Sequence, residues 1–130
     1  MAYYYDTSAL VALVVDERRS PEMRRWWSRH GGRAVASQLV RTELLRTVRR
    51  VAPAVEEAAS ALLDRVNQAR LTPAILDAAA GLGPASLRAL DAIHLATARD
   101  LGDDLEGLVT YDDRLAAAAR GYGLVVVRPE

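Results

Sequence analysis

The sequence predicts an α/β fold built on a parallel sheet with helices on both faces. Three observations carry this. The apolar runs at 2–5, 108–111 and 124–127 are short and do not alternate with polar residues; segments with helical spacing separate them; and two of them end in a tyrosine followed at once by an aspartate. A strand that is apolar at successive positions is buried on both sides, which a parallel sheet with helical crossovers requires.

Residues 2–5 read as the first buried strand, with a helix over 8–15 directly behind it. Ser20 and Pro21 restart a helix as cap and first-turn residue, and Gly31 and Gly32 stop it. Residues 34–36 read as a strand. Ser37 then caps a helix running to about Val51, with Val40, Leu44, Val48 and Val51 as its apolar stripe. Pro53 breaks it. A second, alanine-rich helix continues to about Gln68, so 37–68 forms a helical hairpin, and Leu71 begins a brief strand. A short helix after Pro73 ends at 81–84, and Ser86 opens a long apolar helix through Leu101. After the strand at 108–111 come a helix over 113–120, two glycines that end it, and the β-branched final strand at 124–127. There is no internal repeat and no Pro, Gly or Ser tract, so residues 1–130 are expected to form one domain.

What is missing narrows the chemistry. With no cysteine, disulfides, thiolate zinc sites and cysteine nucleophiles are excluded, and the chain suits a reducing cytosol. With no lysine, the P-loop lysine and Schiff-base chemistry are excluded as well. Ser8 has no histidine base near it in sequence, and Gly81 and Gly83 lie in an inter-helix turn where they cannot cradle a nucleotide phosphate. No basic leader precedes the first apolar run, Asp6 interrupts that run, and nothing approaches the length of a membrane span, so a cytoplasmic protein is expected. The seventeen arginines balance seventeen acids, but unevenly. Residues 1–50 hold ten arginines against five acids, and residues 51–130 hold seven against twelve. That asymmetry permits phosphate binding by a chain of zero net charge, although solvated helix faces account for it equally well.

Four carboxylates stand out. Asp6 and Asp112 each follow a strand, beyond the carboxyl end where parallel sheets collect function. Each is also a good N-cap for the helix after it, and taken singly that role accounts for both. Asp91 lies in LDAIHLATA, a segment apolar nearly all round, and a carboxylate buried there needs either a cation or an arginine such as Arg88, three residues earlier. Glu43 sits at the edge of the Val40–Leu44–Val48 stripe beside Arg41 and Arg46. His94, one turn after Asp91, is expected to support a carboxylate or pack in the core, since an oxygen-rich site prefers hard cations. His30 reads as a helix-end residue.

Taken together, DTSAL at 6–10, Glu43 in the third helix, RALDAIHLATA at 88–98 and TYDDRL at 110–115 resemble the PIN-domain pattern of the VapC-type toxins, across nearly the whole chain. The resemblance implies a three-layer α/β/α sandwich with a parallel sheet of about five strands. It carries catalytic and metal-binding roles onto Asp6, Glu43, Asp91 and Asp112, with Mg²⁺, or Mn²⁺ in its place, as cofactor. Ser8 and Thr110 match supporting hydroxyl positions, and Asp113 is a second-choice acid beside them. The implied activity is endoribonuclease cleavage, with a VapB-like antitoxin partner and a homodimer as the usual assembly. Arg24, Arg25 and Arg46, among the arginines crowded before residue 51, are candidates for the RNA backbone, and Trp26 or Trp27 for base stacking, with core packing as the default for one of them. A catalytically silent PIN-like module that binds RNA or protein is the rival reading. A phosphotransfer domain is disfavoured, because DTS lacks a second aspartate two residues on and there is no lysine.

Overall fold

The computed structural model describes all 130 residues. Five strands, β1 (Ala2–Tyr5), β2 (Ala34–Ser37), β3 (Asn67–Ala69), β4 (Leu105–Val109) and β5 (Val126–Val127), form one sheet in the order β3-β2-β1-β4-β5, every pair parallel. The helices are α1 (Thr7–Val14), α2 (Ser20–His30), α3 (Val40–Val51), α4 (Glu56–Asp64), α5 (Pro73–Ala80), α6 (Ala89–Asp100) and α7 (Asp113–Gly121). The fold class predicted from the sequence, an α/β/α sandwich on a five-stranded parallel sheet, is the one observed.

The central strands are buried on both faces, and successive residues serve different cores. Tyr5 and Val109 join Leu10, Met23, Leu44 and Leu62 beneath α1 to α4. Tyr4 and Leu108 join Leu95 and Leu115 beneath α6 and α7. Leu10, Leu44, Val40 and Leu95 are all fully buried, and losing any one of the leucines to alanine should cost about 2–5 kcal/mol. The strand order reverses between β1 and β4. At such a switch point the crossovers leave to opposite sides and open a crevice beyond the strand ends, and β1 and β4 deliver Asp6 and Thr110 there.

Several boundaries differ from those expected. Ser20 is not a cap but the first helical residue, and its hydroxyl accepts from Glu17 N and donates to Val15 O. Ser37 ends β2 and its Oγ accepts from Leu39 N, so α3 starts at Val40; its stripe stops at Val48, because Val51 is 49% exposed. The alanine-rich helix ends at Asp64, and Gln68 lies in a strand that begins four residues before the one expected at Leu71. That strand is polar and at the sheet edge, so pairing with β2 makes it a strand without an apolar run. Residues 86–88 stay outside α6, since Leu87 N bonds Pro84 O in a separate turn and Arg88 is extended. Thr110 and Tyr111 leave β4 to shape the crevice, and β5 is only two residues long.

Candidate active site

Asp6 caps α1, as the sequence allowed, with Oδ1 accepting from Ala9 N at 3.1 Å. Its side chain does more than cap. Oδ1 also accepts from Ser8 Oγ, and Oδ2 accepts from Thr110 Oγ1, both at 2.6 Å. Asp6 is 4% exposed, and burial pushes its carboxyl above the ordinary value against the opposing pull of His94 and the three hydrogen bonds. Ser8 and Thr110 are themselves tied down, for Tyr111 N donates to Ser8 Oγ and Asp112 N to Thr110 Oγ1, each at 2.9 Å. The loop after β4 is thereby fastened to the loop after β1, and it leads straight into α7, which Asp112 caps through Oδ1 at 2.8 Å from Leu115 N.

Glu43 enters from the first turn of α3. Its Oε1 accepts from Thr7 Oγ1 at 2.6 Å and meets His94 Nε2 at 2.7 Å. Partial burial works against ionisation, but the bonds from His94 and Thr7 outweigh it and hold the Glu43 carboxyl below its usual value. Asp91 enters from the first turn of α6 and is held above the ordinary aspartate value, first by burial, then by the charge of Asp112, with Asp6 and Glu43 adding to it. Arg88, its expected structural partner, lines the same cleft but makes no ion pair with it. Asp91 thus feels the charge of the other three acids across the crevice.

Glu43, Asp91, Asp112 and Asp113 line one cleft, flanked by Arg88 and Arg114, while Asp6 is buried and does not line it. Two further clefts join it. One shares Glu43 and Leu90 and runs along α3 past Arg46, Arg49 and Arg50. The other shares Asp113 and holds Ser8, Tyr111, Arg18, Arg19 and Arg128. Arg19 stacks over the Tyr111 ring at 5.3 Å, and Arg128 donates to Tyr111 O. Asp113, shared by two of these clefts, is 88% exposed and paired with Arg128 at 2.7 Å.

Of the arginines singled out from the sequence, Arg46 lies beside the acids. Arg24 and Arg25 do not line any of the three clefts; they sit on α2 in ion pairs with Asp16 and Glu22. The tryptophans also lie elsewhere. Trp26 tilts onto His30 and donates to Tyr5 Oη, and Trp27 packs edge-on against Tyr5. Two contributors escaped the sequence reading. Thr7 stands between Asp6 and Ser8 in the same DTS run, and Tyr4, 0% exposed, reaches His94 Nδ1 at 2.6 Å.

The donor set is all oxygen, negatively charged and partly desolvated, which fits a hard divalent cation and no soft one. The side chains frame such a site without closing it, since no three of the acids and histidines stand close enough together to hold an ion.

The PIN domain family profile matches residues 3–121, and the chain belongs to that family. Within it, the chain is 42% identical over 130 residues to Ribonuclease VapC47 of Mycobacterium tuberculosis (strain CDC 1551 / Oshkosh), covering 97% of this chain and 96% of that protein. It is 42% identical over 128 residues to Ribonuclease VapC46 of Mycobacterium tuberculosis (strain ATCC 25618 / H37Rv), covering 98% of each. The fold is similar to that of VapC20 of Mycobacterium tuberculosis, described as a sarcin-ricin loop cleaving toxin, with a TM-score of 0.80 at 24% identity over 98% of this chain and 100% of that one. It is also similar to a chain of a toxin-antitoxin complex from Klebsiella pneumoniae, with a TM-score of 0.76 at 22% identity over 99% and 98%. The VapC-type resemblance drawn from the four motifs is upheld.

Proposed function

We propose that this protein is a Mg²⁺-dependent endoribonuclease and the toxin of a toxin-antitoxin pair, working in the cytoplasm as one domain, with Mn²⁺ able to replace Mg²⁺. The observation that carries the reading is the gathering of Asp6, Glu43, Asp91 and Asp112 from four separate elements at the sheet's switch point, with no arginine paired to Asp91 or Asp112. The relatives named as VapC ribonucleases support the activity. The neighbour described as part of a toxin-antitoxin complex supports a VapB-like antitoxin as partner. A homodimer is part of the proposal, and no helix is long and apolar enough to cross a membrane.

The four acids would hold the ion. Once bound, it supplies charge neutralisation at the phosphodiester and a water of lowered pKa. The chain's own residues do the rest. Ser8 and Thr110 hold Asp6 in one orientation, Thr7 and His94 hold Glu43, and the Asp112 cap ties the α7 start to the crevice. For the RNA strand we assign the α3 cleft, where Arg46 and Arg50 are exposed and unpaired while Arg49 is held by Glu56 at 2.6 Å. The test is cleavage of mixed cellular RNA with and without EDTA. Activity that survives chelation rejects the metal site, and RNA binding without any cleavage would establish the silent module instead.

A further inference from the structure

We propose that His94 and Tyr4 are positioning residues that turn Glu43 so that a single carboxylate oxygen, Oε2, faces the cleft. The inference deepens the metal-site reading of Glu43 and rests on it. Its basis is a continuous run of hydrogen bonds from the sheet to that acid. Ser37 N donates to Tyr4 Oη at 3.1 Å, Tyr4 Oη meets His94 Nδ1 at 2.6 Å, and His94 Nε2 meets Glu43 Oε1 at 2.7 Å, while Thr7 Oγ1 donates to the same Oε1.

Donor accounting gives this run one direction. An ionised carboxylate only accepts, so His94 Nε2 carries the hydrogen of its bond to Glu43. Tyr4 Oη already accepts from the Ser37 amide and has one hydrogen to donate. When the imidazole is neutral, the tyrosine donates to His94 Nδ1 and the ring is the Nε2–H tautomer. Every hydrogen points from the β2 backbone towards Glu43. Reversing the histidine would set two acceptors, Nε2 and Oε1, against each other.

The consequence lies in the oxygens. Oε1 takes both donors and is turned inward, whereas Oε2 has no hydrogen bond while Glu43 lines the cleft. Tyr4 lies on β1 two residues before Asp6, which follows that strand directly, so the run starts from the strand that leads into one of the acids. His94 is one turn beyond Asp91 on α6, so the same imidazole also fixes the rotation of the helix that carries Asp91. A core tyrosine and a histidine 2% exposed thus tie Glu43 on α3 to the strand that precedes Asp6 and to the helix that carries Asp91.

The test uses ¹⁵N NMR of the imidazole and ¹³C NMR of the Glu43 carboxyl in metal-free protein, calorimetric titration with Mg²⁺, and RNA cleavage, on wild type, Tyr4→Phe, His94→Gln and His94→Leu. Tyr4→Phe keeps the ring and removes one hydroxyl. His94→Gln keeps an amide donor towards Glu43. The wild type should show the Nε2–H tautomer, and Tyr4→Phe should give a mixture of tautomers and shift the Glu43 signal. His94→Leu should weaken Mg²⁺ binding or lower kcat by about 10- to 100-fold with KM for RNA unchanged, and His94→Gln should recover part of that loss. An Nδ1–H tautomer in the wild type, or a Glu43 signal indifferent to Tyr4→Phe, overturns the proposal. If His94→Leu does not fold, the tautomer and the Tyr4→Phe response still decide. If the wild type neither binds Mg²⁺ nor cleaves RNA, the nuclease reading falls, and the two NMR measurements judge the positioning role separately.

Discussion

On the proposed path along α3, an RNA strand would meet Arg46 and Arg50, which lie one helical turn apart and carry no ion pair. Each arginine that neutralises one phosphate of a single strand contributes about 0.7 to the slope of log affinity against log salt, so Arg46→Ala/Arg50→Ala should flatten that slope by about 1.4. Between about 50 and 200 mM salt, the gap between wild type and variant should then shrink by about sevenfold. The measurement is fluorescence anisotropy of a labelled single-stranded RNA in EDTA, which prevents cleavage. Arg24→Ala/Arg25→Ala is the matched control. It removes the same charge, but from guanidiniums held by Asp16 at 2.7 Å and Glu22 at 3.5 Å on α2, and its slope should match the wild type. Equal flattening by the two pairs would mean that RNA senses only diffuse charge, and the α3 path would be wrong. An unchanged slope in the α3 variant would refute it just as directly.

Asp6→Asn and Asp91→Asn should each lose at least about a hundredfold in RNA cleavage with the circular dichroism spectrum intact; near-normal activity in either removes that residue from the site. In thermal scans of metal-free protein, Asp91→Asn and Glu43→Gln should act with opposite sign. Asp91 has a raised folded pKa, so its contribution is present below the unfolded aspartate value and is lost as pH rises through the folded one; at pH 7 Asp91→Asn should raise the melting temperature or leave it unchanged. Glu43 has a lowered folded pKa, so its contribution is present above the unfolded glutamate value and is lost as pH falls through the folded one; Glu43→Gln should lower the melting temperature at pH 7, with the deficit closing in acid. Added Mg²⁺ should raise the wild-type melting temperature, and by less in Asp91→Asn; a large loss on replacing Asp91 in apo protein, with no Mg²⁺ response in the wild type, would make Asp91 a core residue.

Much of this site was legible because its acids violate local expectation. Asp6 and Asp112 close apolar strands, and Asp91 puts a charge into an apolar helix, so each calls for an explanation in one dimension. The arrangement around Glu43 does not. Its partners Thr7 and His94 lie 36 and 51 residues away, and nothing near Glu43 in sequence distinguishes it from an ordinary boundary residue of an amphipathic helix. The neighbours that sequence does suggest misdirect. Arg88 is three residues from Asp91 but extended and unpaired with it, and Arg24 and Arg25 are dense in positive charge but neutralised on α2. Strand β3 was placed too late for a related reason. Asn67-Gln68-Ala69 has no apolar pattern, and only its pairing with β2 defines it.

Cap and ligand are compatible roles for Asp6 and Asp112. A carboxylate has two oxygens with about four acceptor sites, and a cap uses one or two of them. Asp112 spends Oδ1 on Leu115 N and keeps Oδ2 free. Glu43 gathers both donors onto Oε1, Asp6 receives three donors across both oxygens, and Asp91 makes no hydrogen bond. Anchoring therefore decreases from the sheet outward, from Asp6 through Glu43 and Asp112 to Asp91. The acid with most donors can stay buried with its orientation fixed, and the one with none, raised by burial and then by its neighbours' charge, has the most to gain from a cation. For that reason Asp91, rather than the more deeply buried Asp6, is where replacement by asparagine should most relieve the metal-free protein while most blunting its response to Mg²⁺. Equal relief at both positions would mean that burial alone, and not the donor count, sets the strain.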